Sequence, residues 1–245
     1  MHWSHSFYER QDALVGCSRR PVHPYHTALA ARVTAHRGQP GTLLELGAGG
    51  GQFATAAALA GQTVTALELM AGGSEHTQQL AAEHGVTVRT LTADFYTADP
   101  GGPFDTICSW DGFGIGEDED QRLLLSRVAG WLAPGGTAYV EVYTPWYWAR
   151  HASFTRRAET YTQTYGFDAD GCRMLDTYAP HGNEPFTQSL RCHSPADLRL
   201  LLSGTGLRLA EVWPGGAYDP GAGVYRPQVP LGEAMSFTAV LTPDA

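Results

Sequence analysis

Short apolar runs alternate with amphipathic stretches through the middle of the chain. TLLEL (42–46), TVTALEL (63–69), VTVRTLTAD (86–94), FDTICSW (104–110) and TAYVEVY (137–143) have the length and β-branched or aromatic content of strands. Between them, QFATAAALA (52–60), SEHTQQLAAEHG (74–85) and EDEDQRLLLSRVAGWLAPGG (117–136) carry helix formers. The second of these opens on Ser74 and closes on Gly85; the third is acidic at its start and stopped by Pro-Gly-Gly. Strands alternating with helices predict a parallel sheet covered on both faces.

The flanks break the alternation. Roughly 4–37 predicts two helices, the second Pro-interrupted. The stretch 153–192 has β-type composition and is expected to add antiparallel strands to the main sheet. SPADLRLLLSGTGL (194–207) predicts a helix capped by Ser194, RLAEVWP and MSFTAVLT closing strands, and the Gly/Pro-rich 214–232 a loop. One elaborated domain is expected: an N-terminal helical lid (1–37), a core (40–145), a substrate-side insertion (146–193) and a closing segment (194–245).

Composition narrows the chemistry. The chain has 245 residues, 43% of them hydrophobic, enough for one substantial core. A net charge of −9 argues against nucleic acid or an anionic membrane as the main partner. All 16 cationic side chains are Arg, which removes the P-loop lysine and the Schiff-base lysine together. Four dispersed cysteines suggest neither a disulfide framework nor a zinc site. The polar start is no signal peptide and no apolar run is long enough to span a membrane, so a soluble cytoplasmic protein is expected. Glu117–Asp120 are expected to cap a helix rather than bind metal.

The most informative stretch is LLELGAGGGQF (43–53). Glycines directly after a buried strand imply close approach of a ligand to the backbone. A dinucleotide fingerprint fails at Gln52, where its third glycine would stand, which disfavours a nucleotide-binding redox protein. What remains is E-x-G-x-G-x-G, formed by Glu45, Gly47, Gly49 and Gly51. The Glu45 carboxylate would repel a pyrophosphate but could hold an ammonium or order the loop. This segment resembles the first motif of the class I S-adenosylmethionine-dependent methyltransferases, and the match continues in register. Glu68, followed by Leu69, closes the second strand, where that family accepts the ribose hydroxyls on an acidic residue. Asp94 and Phe95 close the third, where it places a carboxylate for the adenine amino group and an apolar neighbour for the ring. LAPGGTAYVEV (132–142) resembles its turn into the fifth strand. The resemblance covers roughly 40–145, with the 194–241 tail in outline, and implies S-adenosylmethionine as cofactor, Gly47, Ala48, Gly49 and Gly51 among its binding residues, and an α/β fold with a seven-stranded, mostly parallel sheet of order 3-2-1-4-5-7-6.

For the acceptor side, SWDGFGIG (109–116) lacks the Asn-Pro-Pro-aromatic signature of amide and nucleobase methylation, which favours a small-molecule acceptor such as a specialised metabolite. Trp110 is expected beside the cofactor and Asp111 at the cavity. In YTPWYWARH (143–151), Trp146, Tyr147 and Trp148 offer an aromatic wall. Candidate bases are His23 and His26, on one helix face, and His151. Tyr8 and Tyr25 are expected to line the lid. Oxygen, nitrogen, carbon and sulfur acceptors all stay open. So does a cofactor-binding protein of this fold that assists a cyclisation or elimination.

Overall fold

In a computed structural model, which describes residues 2–244, two helices lead the chain: α1 (His2–Val15) and α2 (Pro24–Arg37), joined through a 3-10 turn at Cys17–Arg19. The alternating part follows: β1 (Thr42–Leu46), α3 (Gln52–Leu59), β2 (Thr63–Glu68), α4 (Ala71–Glu83), β3 (Val88–Thr92), β4 (Phe104–Ser109), α5 (Asp118–Trp131) and β5 (Leu132–Tyr143). The insertion comprises α6 (Pro145–Arg150), β6 (Thr155–Arg157), β7 (Tyr161–Asp168), β8 (Arg173–Pro180) and β9 (Phe186–Arg191). The chain closes with α7 (Pro195–Leu202), β10 (Leu207–Pro214), β11 (Ala217–Asp219), β12 (Val224–Arg226) and β13 (Ser236–Pro243).

The main sheet has the order β3-β2-β1-β4-β5-β13-β10. β1 runs parallel to β2 and β4, and β13 lies antiparallel between β5 and β10. This is the expected 3-2-1-4-5-7-6 arrangement. Alternation along the strands supplies both faces. Leu43, Val64, Ala66 and Cys108 pack with Phe53, Ala54 and Val33. Leu44, Leu46, Ile107 and Val140 pack on the other side with Leu124, Val128 and Leu198. Sequence order reverses about β1, whose neighbours β2 and β4 carry the chain to opposite edges, so a crevice opens beyond the carboxyl ends of these strands.

Three expectations change. The insertion does not extend the main sheet: β6–β9 form a separate four-stranded antiparallel sheet, and β5 gives its free edge to β13 instead. The stretch 214–232 is not all loop, since β11 and β12 form a hairpin there. The helix expected to reach 136 stops at Trp131, and LAPGG joins β5 with a register jump from Leu132 to Thr137 opposite β4. No helix among the described residues is long and apolar enough to cross a membrane.

Candidate active site

The glycine loop turns over the end of β2, where Gly47 and Ala48 donate their backbone N–H groups to the Leu67 carbonyl at 2.9 and 3.1 Å. Gly49 takes φ +55°, a left-handed conformation that side chains resist, and a Cβ built on it meets no atom within 4 Å. Gly50 faces the front of the chain: a Cβ there would collide with the Ser18 carbonyl. Gly51 does not line the cavity described below; a Cβ on it would strike Thr77 of α4. The alternating glycines therefore meet different demands, one toward the crevice and one toward a helix.

A cavity of about 580 Å³ lies over this loop, within the usual range for small-molecule sites. Its floor holds Glu45, Gly47, Ala48, Gly49, Glu68 and Leu69, and its sides hold Asp94, Phe95, Trp110 and Asp111. Tyr8 of α1 and Tyr25 and His26 of α2 cover it. The structure thus brings together candidates spread over a hundred residues of sequence.

Glu68 is fixed by two backbone donors, Gly49 N–H to Oε2 at 2.7 Å and Met70 N–H to Oε1 at 2.9 Å. Burial pushes its carboxyl above the usual range while these bonds pull it back. Gly73, absent from the sequence-based candidates, permits this geometry: a Cβ there would lie 2.5 Å from the Gly49 carbonyl and 3.0 Å from the Glu68 side chain. Glu45 is 3% exposed and its Oε2 has no hydrogen-bond partner. Burial, with Glu68 nearby, pushes its carboxyl well above the usual range. An unsatisfied buried acceptor costs free energy unless a ligand supplies the donor. Asp94 Oδ1 accepts from the Tyr96 N–H at 2.8 Å, and the Tyr96 hydroxyl donates to the Ile115 carbonyl at 2.7 Å, tying the loop after β3 to that after β4. The Trp110 ring packs edge-on to Phe53, while its indole N–H is buried without a partner.

Past the end of β4, Asp111 holds a left-handed backbone at φ +57°, unusual for a non-glycine residue and frequent at functional sites. Its N–H donates to Glu141 Oε2 at 3.2 Å, and its Oδ1 accepts from the Tyr143 hydroxyl. The carboxyl is exposed to the cavity, but the protein enclosing it elsewhere, with Glu141 alongside, pushes it up to about 7. Glu141, also in the cavity wall, accepts from the Ser236 hydroxyl at 2.7 Å. Sequence reasoning passed over Glu141, although a carboxylate near the carboxyl end of an otherwise apolar strand marks the ligand side of such a sheet.

The histidine pair on α2 has another role. The His23 ring accepts from the Tyr25 N–H at 3.1 Å, and His26 Nδ1 accepts from the His23 N–H at 3.0 Å, so the two rings form the capping box of α2. His23 is exposed and does not line the cavity. His26 does, but with Nδ1 accepting a backbone hydrogen its neutral ring keeps the proton on Nε2, which makes it a donor rather than a base. Burial, followed by His23, lowers its pKa.

The aromatic run also lies elsewhere. Trp146 and Trp148 donate their indole N–H groups to the carbonyls of Leu231 and Met235, and the Tyr147 hydroxyl donates to that of Tyr218. His151 stacks on Tyr147 at 4.0 Å and donates from Nδ1 to its carbonyl. These residues fasten α6 to the 217–235 segment, and Tyr147, Trp148 and His151 line a separate cavity of about 240 Å³. A short helix starting at Pro145 turns the run away from the main cavity.

In their place α1 lines this side of the cavity, backed by the insertion sheet. Phe7 packs on Tyr178 and Phe186, Arg10 lies 4.2 Å over the Phe186 ring, and Gln188 donates to the Tyr8 hydroxyl at 3.3 Å. Behind Tyr8 lies Asp176, buried and bound by both contacts of the Gln163 amide at 2.9 and 3.0 Å. The front segment is pinned to the glycine loop as well: Asp12 accepts from the Ser18 N–H and hydroxyl at 2.8 and 2.6 Å, and Gln52 donates to the Arg20 and Ser18 carbonyls at 2.9 and 3.3 Å. Among the described residues no group of three or more His, Cys, Asp or Glu side chains is placed to hold a metal ion.

Residues 43–136 match a family model described as a methyltransferase domain. No curated protein matches the sequence. Among solved structures, the fold is similar to the CcbJ methyltransferase of Streptomyces caelestis, at 20% identity over 93% of this chain and 92% of that one, with a TM-score of 0.72. An S-adenosylmethionine-dependent methyltransferase of Clostridium acetobutylicum gives 14% identity over 99% of both chains and a TM-score of 0.73. CalS10, an amino pentose methyltransferase of Micromonospora echinaspora solved with S-adenosylmethionine bound, gives 20% identity over 94% and 95%, with a TM-score of 0.58. The matched stretch holds the glycine loop, Glu68 and Asp94, and the neighbours share the fold described above.

Proposed function

We propose that the protein methylates a small-molecule acceptor, a specialised metabolite, held between the ends of β4 and β5 and the covering α1. The observation that carries this reading is the division of one cavity into two differently built ends. One end has Glu45 with an unpaired buried oxygen beside a glycine that leaves space free; the other has Asp111 in a strained conformation under a wall made by segments outside the sheet.

The donor-set chemistry fits the cofactor. Glu45 takes the ammonium of the methionine moiety, Glu68 the ribose hydroxyls, Asp94 the adenine amino group, and Phe95 and Trp110 the faces of the bound groups. When bound, S-adenosylmethionine supplies a methyl group already activated by its sulfonium. The chain then has to align the acceptor, exclude water and receive a proton. Tyr8, Tyr25 and His26 shut the cavity from above, and Asp111 takes the proton. The CalS10 structure, described as serving calicheamicin biosynthesis, is a neighbour consistent with a specialised-metabolite acceptor.

Incubation with S-adenosylmethionine and a library of small hydroxyl-, amine- and thiol-bearing acceptors, followed by S-adenosylhomocysteine formation, tests the reading. Acceptor-dependent product supports it; tight cofactor binding with no acceptor-dependent product from any member overturns it. In the same preparation Glu68→Ala is expected to weaken S-adenosylhomocysteine binding by roughly 1.5–3 kcal/mol, at least about tenfold, because a charged acceptor is lost. Calorimetry showing unchanged affinity in the folded variant would refute that assignment.

A further inference from the structure

We infer that the acceptor is an amine, bound as its ammonium between Asp111, Glu141 and Tyr8, and that Asp111 receives the proton it must lose before methylation. The inference rests on the methyltransferase reading and adds the substrate class.

The groups that face Asp111 come from every element around it. β5 contributes Glu141 and Tyr143; α1 contributes Tyr8; α2 contributes Tyr25; β8, farther back, contributes Asp176; and β7 contributes Tyr165. The cations around the cavity are engaged elsewhere: Arg156 of β6 bonds Tyr165 and acts on Asp176, Arg32 acts on Tyr25, Arg10 lies over Phe186, and Arg19, which lines the cavity, stands 3.9 Å from Asp12; among the described residues none forms an ion pair with Asp111 or Glu141. The Asp111 N–H donates to Glu141 Oε2 at 3.2 Å, and burial, with Glu141 alongside, raises the Asp111 carboxyl to about 7; Asp176 itself is pushed up to about 6 by burial. Like charges held together without a counter-ion are costly, and a cationic ligand relieves that cost. That the cavity is built for a ligand stands independently on Glu45, buried in its floor with an oxygen that nothing in the protein satisfies.

The charge pattern discriminates among acceptors. A carboxylate or phenolate would enter against Asp111 and Glu141. An aliphatic alcohol has an acidity near that of water, roughly 15.7, far out of reach of a carboxyl near 7. An alkylammonium, at about 8 to 10.4, is within a few units, and the carboxylates first attract it and then take its proton. The ammonium gives one proton to Asp111; the freed lone pair forms the new N–C bond as the C–S bond breaks, leaving its electron pair on sulfur. Ammonium and sulfonium become an N-methylammonium and a neutral thioether, and the proton passes from Asp111 to solvent. The Tyr8 and Tyr25 rings supply apolar and cation–π surface for the rest of the cation.

The test uses the full chain saturated with S-adenosylhomocysteine and three probes of one shape: benzylamine, benzyl alcohol and benzoate. Ligand-observed NMR titration at pH 7.5 is expected to give benzylamine at least about tenfold tighter binding than benzyl alcohol, the size of one retained charge pair, with benzoate weakest. In Asp111→Asn/Glu141→Gln the amine preference should fall to about threefold or less while S-adenosylhomocysteine affinity is kept, which also shows that the variant folds. An amine that binds no better than the alcohol, including the case in which no probe binds, overturns the inference, as does a preference that survives the double variant. Loss of the cofactor reading would appear separately, as failure of S-adenosylhomocysteine to bind the unaltered chain.

Discussion

Gly49→Val is expected to abolish cofactor binding, by a hundredfold or more, while the protein stays folded. The space beyond Gly49 is free of protein atoms within 4 Å, so the core does not resist a side chain there; the ligand does. The backbone stands at φ +55°, where a β-branched residue is strained. Its N–H is one of the two that hold Glu68, so any relaxation of the loop also misplaces the carboxylate assigned to the ribose. Two independent losses compound. Calorimetry against S-adenosylhomocysteine, with circular dichroism to confirm the fold, reads the effect; normal affinity would show that the cofactor does not approach this residue. Gly51→Ala offers a contrast: it meets Thr77, so its cost should fall on stability rather than directly on the ligand.

Asp111→Asn is expected to lower turnover by about 10²–10⁴-fold, the usual contribution of a positioned base, with cofactor affinity nearly unchanged. The pH profile is the sharper readout. Asp111 acts as the carboxylate, so kcat/KM of the unaltered enzyme should rise with pH through about 7 and level off above it, and the Asn variant should lose that limb. The stability effect has the opposite sense. A carboxyl raised in the folded state binds its proton more tightly there than in the unfolded chain, so its contribution to stability falls as pH rises from about 4 to 7. Asp111→Asn should therefore be modestly more heat-resistant than the parent at pH 8. Unaltered turnover, or a pH limb that persists in the variant, removes Asp111 from the mechanism. His26→Gln keeps a hydrogen-bonding side chain at the helix cap and on this account leaves the limb in place.

The sheet and the residues of the cavity floor were legible because both rest on local patterns. Apolar runs of strand length between capped helices specify a parallel sheet, and Glu45, Glu68 and Asp94 each stand at a strand end, where geometry alone puts them on the ligand side. The rest of the cavity wall was not legible, because nothing local distinguishes a side chain that faces a cavity from one that fastens two segments. His23 and His26 have the spacing of a one-faced pair, yet that same spacing is what a capping box needs. Trp146, Tyr147 and Trp148 are aromatic and adjacent, but on a helix adjacent residues point in different directions, and a helix beginning at Pro145 was not anticipated. The insertion strands have sheet composition, which does not say to which sheet they belong. One signal was available: β8 buries Met174, Asp176 and Tyr178 in alternation, and a carboxylate at a buried position of such a strand is seldom there for packing.

Gln52, the residue that spoils the dinucleotide fingerprint, has a kinetic meaning. Its amide grips the backbone of the turn that joins the two front helices, and Gly50 leaves the room for that turn to lie flat on the loop. A stretch of main chain is thereby latched to the same loop that forms the cavity floor, and Gln52 itself lines that cavity. On the proposed function a product leaving past this turn has to break those bonds, so Gln52→Ala is expected to raise the dissociation rate of S-adenosylhomocysteine, read by stopped-flow displacement.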